Sequence, residues 1–277
     1  MLMLLNRWLS IPLCIGVQHG IGDFDRAYRR WEARRLMTAN WRVVGVSRAV
    51  RDYLIGCGGG FDERNTVQIN NAIDIDRAEA MQHPRERART LLGLAPEPFI
   101  FGAIGRLVPV KGHIYLIEAF SKVQAAYPHA QLAIIGEGRE RTELEAAIIR
   151  FGLVGKVHLL GAREDALQYV RAFDAFVMPS LSEGLPLALL EGMSGRLPVS
   201  GSDIPSFRPI LEDCGGRVFS VAQHAALAKC LLDVLATSAE ARAVEGERAY
   251  AYLRRAHAIE GFHRQYLNLI LEFGIGN

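Results

Sequence analysis

The chain has 277 residues, of which 50% are hydrophobic, 22% charged and 8% aromatic, values of a folded globular protein that exclude disordered, collagenous and low-complexity classes. The formal net charge is only +2, so no global field exists to make nucleic-acid binding the main function. The four cysteines, Cys14, Cys57, Cys214 and Cys230, have neither CxxC spacing nor a nearby histidine pair, which argues against a disulfide framework and a zinc site and fits a reducing cytoplasm.

The opening stretch 1–17 is apolar but interrupted by Asn6, Arg7 and Pro12, and it falls short of the roughly 20 apolar residues of a spanning helix. Gln18, His19 and Gly20 stand where a signal peptide would have its small-residue cleavage site, so that reading is set aside. The first residues resemble the end of a crossover helix, and 11–17 predicts a buried strand. A helix over 24–37, a strand over 41–46, a helix over 48–55 and a strand over 66–69 follow, the alternation of a parallel sheet wound with helices. Three strands are fewer than the ~4–6 of a usual open sheet, so residues 1–74 read as an incomplete first domain. The sequence then turns polar, and 75–97 reads as a linker holding a short helix over 85–92, closed by Gly93 and broken by Pro96 and Pro98.

Residues 98–256 predict a full doubly wound sheet, with strands over 99–104, 131–135, 156–160, 175–178, 197–200 and 217–219. After Gly112, a helix lays Leu116, Ile117, Phe120, Val123 and Tyr127 along one apolar stripe. Helices over 222–236, 239–255 and 260–273 close the chain. The segment 257–277, with Phe262, Tyr266, Leu267, Ile270 and Leu271 on one side, is expected to pack back toward the first domain.

Open parallel sheets bind ligands outside the carboxyl ends of their strands, so the segments that follow strands rank first as candidates. After 99–104 come Gly105, Arg106, Lys111 and Gly112: two cations on a loop whose glycines permit close backbone approach, suited to a diphosphate and equally compatible with a solvated loop. After 131–135, Gly136, Glu137 and Gly138 begin like a dinucleotide fingerprint but lack its third glycine, so no nicotinamide cofactor is inferred.

The most informative segment follows 175–178. Glu183 precedes a helix that Pro186 is placed to open, and Glu191 lies about a turn and a half inside it. Gly184 leaves the helix start open, and its amides, with those of Leu185 and Leu187, suit a phosphate between the two acids. An acidic first turn complementing the helix dipole would account for Glu183 but leaves Glu191, beside Leu190 and Met193, less well explained. His19 follows the first strand and, taken alone, reads as an ordinary loop residue. Eight arginines at 26, 29, 30, 34, 35, 42, 48 and 51 suit an anionic surface, although a solvated helix face explains them as well. Two DxD matches, Asp23 with Asp25 and Asp74 with Asp76, have no further oxygen ligands nearby, so no required metal is expected.

Together these segments resemble the retaining glycosyltransferases of family 4, the glycosyl transferases group 1. The specific pieces are Gly105, Arg106, Lys111 and Gly112; Gly136, Glu137 and Gly138; Leu160 and Gly161; and the pair Glu183 and Glu191 within PSLSEGLPLALLEGM. The segments VVGVSRAV at 43–50 and INNAID at 69–74 add to the likeness. The resemblance implies an α/β fold of GT-B type, with two Rossmann-like doubly wound parallel-sheet domains, the first incomplete. It implies a hexosyltransferase-like activity that moves a sugar from a nucleoside-diphosphate donor to a glycan or lipid-linked acceptor with retention of configuration, in cell-surface polysaccharide or lipopolysaccharide synthesis.

By the same resemblance Arg106 and Lys111 neutralise the leaving diphosphate in place of a metal, Glu191 binds the ribose, Glu183 contacts the donor sugar and His19 approaches that sugar. No cofactor is implied. The implied location is cytoplasmic, peripheral on the inner membrane face. The family's first domain normally opens with a strand and a glycine-rich turn that this sequence lacks, and Ala72 stands where the family's linker has glycine. The alternative reading is therefore a truncated, non-catalytic nucleotide-sugar-binding module.

Overall fold

The computed structural model describes residues 2–9, 11–185 and 187–273. The chain divides into two compact units, one of Met1–Ala72, Glu183–Leu185 and Ala256–Asn277, the other of Ile73–Ser182 and Pro186–Arg255.

In the first unit, α1 (Leu2–Leu9), β1 (Cys14–Gln18), α2 (Ala27–Leu36), β2 (Trp41–Gly45), α3 (Arg48–Cys57) and β3 (Thr66–Gln68) build a parallel three-stranded sheet in the order β1-β2-β3. The central strand β2 is apolar on both faces and almost wholly buried, as parallel sheets require. The expected buried strand over 11–17 is instead shorter, lies further along the chain and is only half-buried. It sits at the sheet edge, and Val17 is 40% exposed. Ser47 caps α3 by accepting the Val50 amide at 3.3 Å, and the helix ends on Gly58 in the left-handed region (φ +70°). In contrast, α2 buries only Ala33; Arg34 and Arg35 are exposed, while Arg29 and Arg30 are half-buried and donate to the Asp23 and Phe24 carbonyls.

The second unit opens with α4 (Ile75–Met81) and α5 (Arg85–Leu92), both within the stretch read as a linker. The missed helix α4 has a legible start, since Asp74 accepts the Arg77 amide at 2.9 Å, and it buries Ile75 and Ala78. There follow β4 (Ile100–Ile104), α6 (His113–Ala126), β5 (Gln131–Ile135), α7 (Arg141–Arg150), β6 (Val157–Leu159), β7 (Ala175–Met178), α8 (Leu187–Ser194), β8 (Val199–Ser202), α9 (Arg208–Cys214), β9 (Arg217–Phe219), α10 (His224–Ala236) and α11 (Ala239–Ala256). Six parallel strands lie in the order β6-β5-β4-β7-β8-β9. The chain winds outward from β4 to β6, then returns to place β7 on the other side of β4. The winding direction therefore reverses between β4 and β7, and open α/β sheets form their ligand crevice at such a switch point.

Phe101, Leu132, Ile134 and Val177 fill the sheet's core together with Leu116, Ile117, Phe120 and Val123 of α6, all fully buried. Tyr127, expected to extend that stripe, is 37% exposed because the helix has already ended and Tyr127 is its C-cap. The strand expected over 197–200 begins two residues later, after Pro198, which has no N–H to give the ladder. At the amino end of the sheet Arg89, 1% exposed, donates to Asp174 at 2.6 Å and to the carbonyls of Ala172, Pro96 and Pro98, while Asp174 also accepts the Ile100 amide at 2.7 Å. This network fixes α5 to the starts of β4 and β7.

The last helix, α12 (Ile259–Leu271), belongs to the first unit. Leu269 packs with Val44 and Ile69, and Phe262 and Tyr266 lie against that cluster. The apolar side therefore runs through 262, 266 and 269. Leu267 and Leu271, expected on it, are 55% and 47% exposed, because a period of 3.6 rotates them off the contact face.

Candidate functional site

Three loops meet at the carboxyl end of β4 and its neighbours. The loop after β4 holds Gly105, Arg106, a short 3₁₀ turn Pro109–Lys111 and Gly112; the loop after β5 holds Gly136, Glu137 and Gly138; the third begins at Pro179, after β7. Backbone hydrogen bonds lace them together. The Leu107 amide donates to the Glu137 carbonyl at 3.0 Å, the Glu140 amide to the Leu107 carbonyl at 3.0 Å, and the Leu181 amide to the Val110 carbonyl at 2.8 Å. Gly136 is also bridged to Gly161, whose carbonyl accepts the Gly136 amide at 2.9 Å.

Glycine is required by contact at three of these positions, Gly112, Gly136 and Gly138. A Cβ on Gly136, where φ is +156°, would stand 1.9 Å from the Gly105 carbonyl oxygen, and one on Gly112, where φ is +66°, would stand 2.1 Å from the Pro179 carbonyl oxygen. The second contact joins the loops after β4 and β7, across the switch point itself.

Arg106 is exposed and forms no ion pair among the described residues, and Lys111 is half-buried beside it. Glu137 is committed within its own helix turn, where Arg141 Nη1 donates to Glu137 Oε2 at 2.7 Å. On α8, which packs on β7 and β8, Glu191 is partly buried between Leu190 and Met193, both fully buried. Its carboxylate makes no hydrogen bond or ion pair among the described residues, and burial pushes its pKa above the usual carboxylate range. An acid held this way, without a cation or amide to satisfy it, is suited to accepting hydroxyl protons from a ligand.

Among the remaining candidates, His19 and Glu183–Leu185 belong to the first unit, and Leu187 to the second. His19 is exposed directly beyond β1. Gly184 does not leave an open amide face as expected: it is buried, a Cβ there would lie 1.7 Å from the His19 carbonyl oxygen, and its own carbonyl accepts the Ser47 hydroxyl at 3.0 Å. Leu185 is 6% exposed, and its carbonyl accepts Asn71 Nδ2 at 3.3 Å. These bonds pin 183–185 to the segments that follow β1, β2 and β3 of the first unit. Leu187 is 48% exposed at the start of α8, and Pro186 lies outside the described residues.

Two DxD acids have structural partners: Asp25 accepts the Tyr53 hydroxyl at 2.9 Å, and Asp76 pairs with Arg254 at 3.0 Å. A cavity of about 410 Å³ opens at the opposite, amino end of the larger sheet, but its arginines are engaged internally: Arg85 with Asp174, Arg196 with Glu79 and Glu247, and Arg242 with the Thr237 carbonyl.

One residue that sequence reasoning missed is His113, the first residue of α6 and 2% exposed. Its signal was available, because 113, 116, 117 and 120 continue the buried stripe by one helical step toward the loop.

The sequence profile described as Glycosyl transferases group 1 matches residues 84–252, more than half of the chain. The chain belongs to this family. Among curated relatives of this glycosyltransferase-family chain, the UDP-Gal:alpha-D-GlcNAc-diphosphoundecaprenol alpha-1,3-galactosyltransferase of Escherichia coli is 33% identical over 139 residues, 49% of this chain and 36% of that protein. The lipopolysaccharide core biosynthesis mannosyltransferase LpcC of Rhizobium leguminosarum bv. viciae is 26% identical over 93% of this chain and 71% of its own length. Three of the curated relatives, the E. coli enzyme included, are matched over only 34–37% of their length. Among solved structures, Anabaena HepE in complex with UDP-glucose superposes with a TM-score of 0.84 at 22% identity, covering 98% of this chain and 75% of that one. The fold of this family member is accordingly α/β of GT-B type, with parallel sheets of three and six strands.

Proposed function

We propose that this chain binds a nucleoside-diphosphate sugar at the carboxyl end of the six-stranded sheet and transfers the sugar, with retention of configuration, to a glycan or lipid-linked saccharide acceptor. The observation that carries the reading is the meeting of three loops at the switch point, two of them glycine-bearing, with Arg106 and Lys111 on the first. The UDP-glucose in the Anabaena neighbour and the sugar-nucleotide in the E. coli relative's name support a donor of this chemical class. The diphosphoundecaprenol-linked acceptor in the E. coli relative's name and the lipopolysaccharide core biosynthesis in the Rhizobium relative's name support a cell-surface glycan product.

In this reading the donor's diphosphate lies against the backbone of Gly105 and Gly136, with Arg106 and Lys111 offsetting the charge that develops as it leaves. Glu191 accepts the ribose hydroxyls, and Glu183 and His19 are the residues assigned to the sugar. As the bond between the anomeric carbon and the phosphate oxygen breaks, the acceptor oxygen bonds to that carbon, and the acceptor's proton passes to the departing phosphate. Charge stabilisation and positioning supply the catalysis, with no protein nucleophile. No helix among the described residues is long and apolar enough to cross a membrane. Contact with a membrane surface is supported instead by Tyr28 and Trp31, 53% and 61% exposed on α2 among Arg29, Arg34 and Arg35.

The test is incubation of the purified chain with UDP-, GDP- and ADP-sugars, with and without diphosphoundecaprenol-linked saccharides and lipopolysaccharide core. Transfer with retention, or slow donor hydrolysis, supports the proposal. Donor binding with neither supports the non-catalytic binding module, and no donor binding at all overturns the reading.

A further inference from the structure

His113 is a polar side chain in a position otherwise reserved for core. Its imidazole is 2% exposed, and neither Nδ1 nor Nε2 has a hydrogen-bond partner among the described residues. The carbonyls of Gly105 and Arg106 lie near enough to favour a protonated ring, yet neither meets hydrogen-bond geometry. Burial and the neighbouring Lys111 charge push the pKa down to about 4, so the ring is neutral at physiological pH and carries one N–H. Buried donors are almost always satisfied, and one left open calls for a partner that the chain itself does not supply.

The surroundings indicate what that partner is. A Cβ added to Gly105 would stand 3.6 Å from His113 Nε2 and 3.6 Å from Lys111 Cδ. The ring nitrogen, the lysine stem and the bare face of Gly105 therefore border one small space. That space lies at the N-terminus of α6, a fourteen-residue helix in whose first turn the Tyr115 amide donates to the Gly112 carbonyl at 3.0 Å, leaving the positive end of the helix dipole toward the space. The Lys111 cation and the helix N-terminus give this space, beside the carbonyls of Gly105 and Arg106, a positive border that favours an acceptor-only anion.

We propose that His113 is a phosphate-binding residue of the loop after β4, its Nε2–H donating to a phosphate oxygen of the nucleoside diphosphate beside Gly105. The proposal rests on the donor-binding reading above and adds a residue to it. As a neutral donor His113 adds direction without adding a third fixed charge beside Arg106 and Lys111. It also ties the entry of α6 to ligand occupancy, because its N–H is satisfied only when the anion is bound.

Calorimetric titration of inorganic pyrophosphate, UDP, GDP and ADP into wild type, His113→Gln and His113→Leu, with thermal melts of the same ligand-free proteins, tests this. Gln keeps a donor near the Nε2 position and should bind pyrophosphate within about threefold of wild type. Leu removes the donor and should bind about tenfold or more weakly, the worth of a hydrogen bond to a charged group, yet melt no lower than wild type. Equal binding by the Leu variant, equal loss in Gln and Leu, or a loss of binding accompanied by a lower melting temperature in Leu would each overturn the assignment, the last marking a structural role. A wild type that binds none of the four ligands overturns the donor reading and this proposal together.

Discussion

The Gly105 carbonyl oxygen lies 1.9 Å from where a Cβ on Gly136 would stand, so the loops after β4 and β5 touch backbone to backbone with no room for a side chain. Gly136→Ala should therefore do more than strain φ at +156°, because the new Cβ would meet only Gly105 backbone atoms and no side chain stands there to yield. We expect a stability loss of roughly 2 kcal/mol or more and loss of measurable nucleoside-diphosphate binding, read by chemical denaturation and calorimetry. Gly138→Ala, whose Cβ would meet the Leu107 carbonyl at 2.3 Å, should behave alike.

Glu191 is expected to trade stability for binding. Its folded-state pKa lies above the unfolded value, so the folded chain holds that proton more tightly. The resulting penalty is absent below the unfolded pKa, grows as pH rises between the unfolded and folded values, and is complete once pH exceeds the folded value. Glu191→Gln mimics the protonated acid, so it should be more stable than wild type at pH 7, with the difference vanishing as pH falls toward about 4. The same variant should bind nucleoside diphosphate about tenfold more weakly. Denaturant melts across pH 4–8, paired with calorimetry, check both halves.

Arg106→Ala and Lys111→Ala should separate binding from turnover. Groups that meet charge developing on a leaving diphosphate act mainly in the transition state, so each substitution should lower kcat by about a hundredfold while weakening donor binding far less. Steady-state kinetics against each variant's donor affinity provides the comparison, and parallel losses in both would argue for simple ground-state binding.

Away from the site, Asp174→Ala should leave the Arg89 guanidinium buried with its charge unmatched and the Ile100 amide without its acceptor. Removing one partner of a buried pair costs about 3–5 kcal/mol, so a large fall in melting temperature is expected. Asp174→Asn, which keeps an acceptor for the Ile100 amide, should lose less.

The larger sheet was legible because most of its strands are short apolar runs closed by a turn signal, and β5, β7 and β9 begin and end where the sequence placed them; β8, Val-Ser-Gly-Ser, lacks that signal and was drawn two residues early. Strand order was not, since it arises from how crossovers pack; the meeting of Gly112 with Pro179 became visible only once β7 lay beside β4. Helix α4 was missed because seven residues with two acids read as polar linker, although Asp74 announces its start. At the edge, β1 was drawn too early because apolar content alone does not separate an edge strand from a central one. Gly184 was read as an opening for phosphate, whereas its lack of a side chain serves the contact with the His19 carbonyl, which no local pattern reveals.

Amide-resolved NMR titration of the chain with UDP, GDP and ADP tests the central claim most directly. The account expects saturable shifts concentrated at Gly105, Gly112, Gly136, Gly138 and Leu181, where the three loops are laced together. Shifts gathered instead around Arg85, Asp174 and Arg242 at the other end of the sheet, or no saturable shift with any of the three, would contradict it.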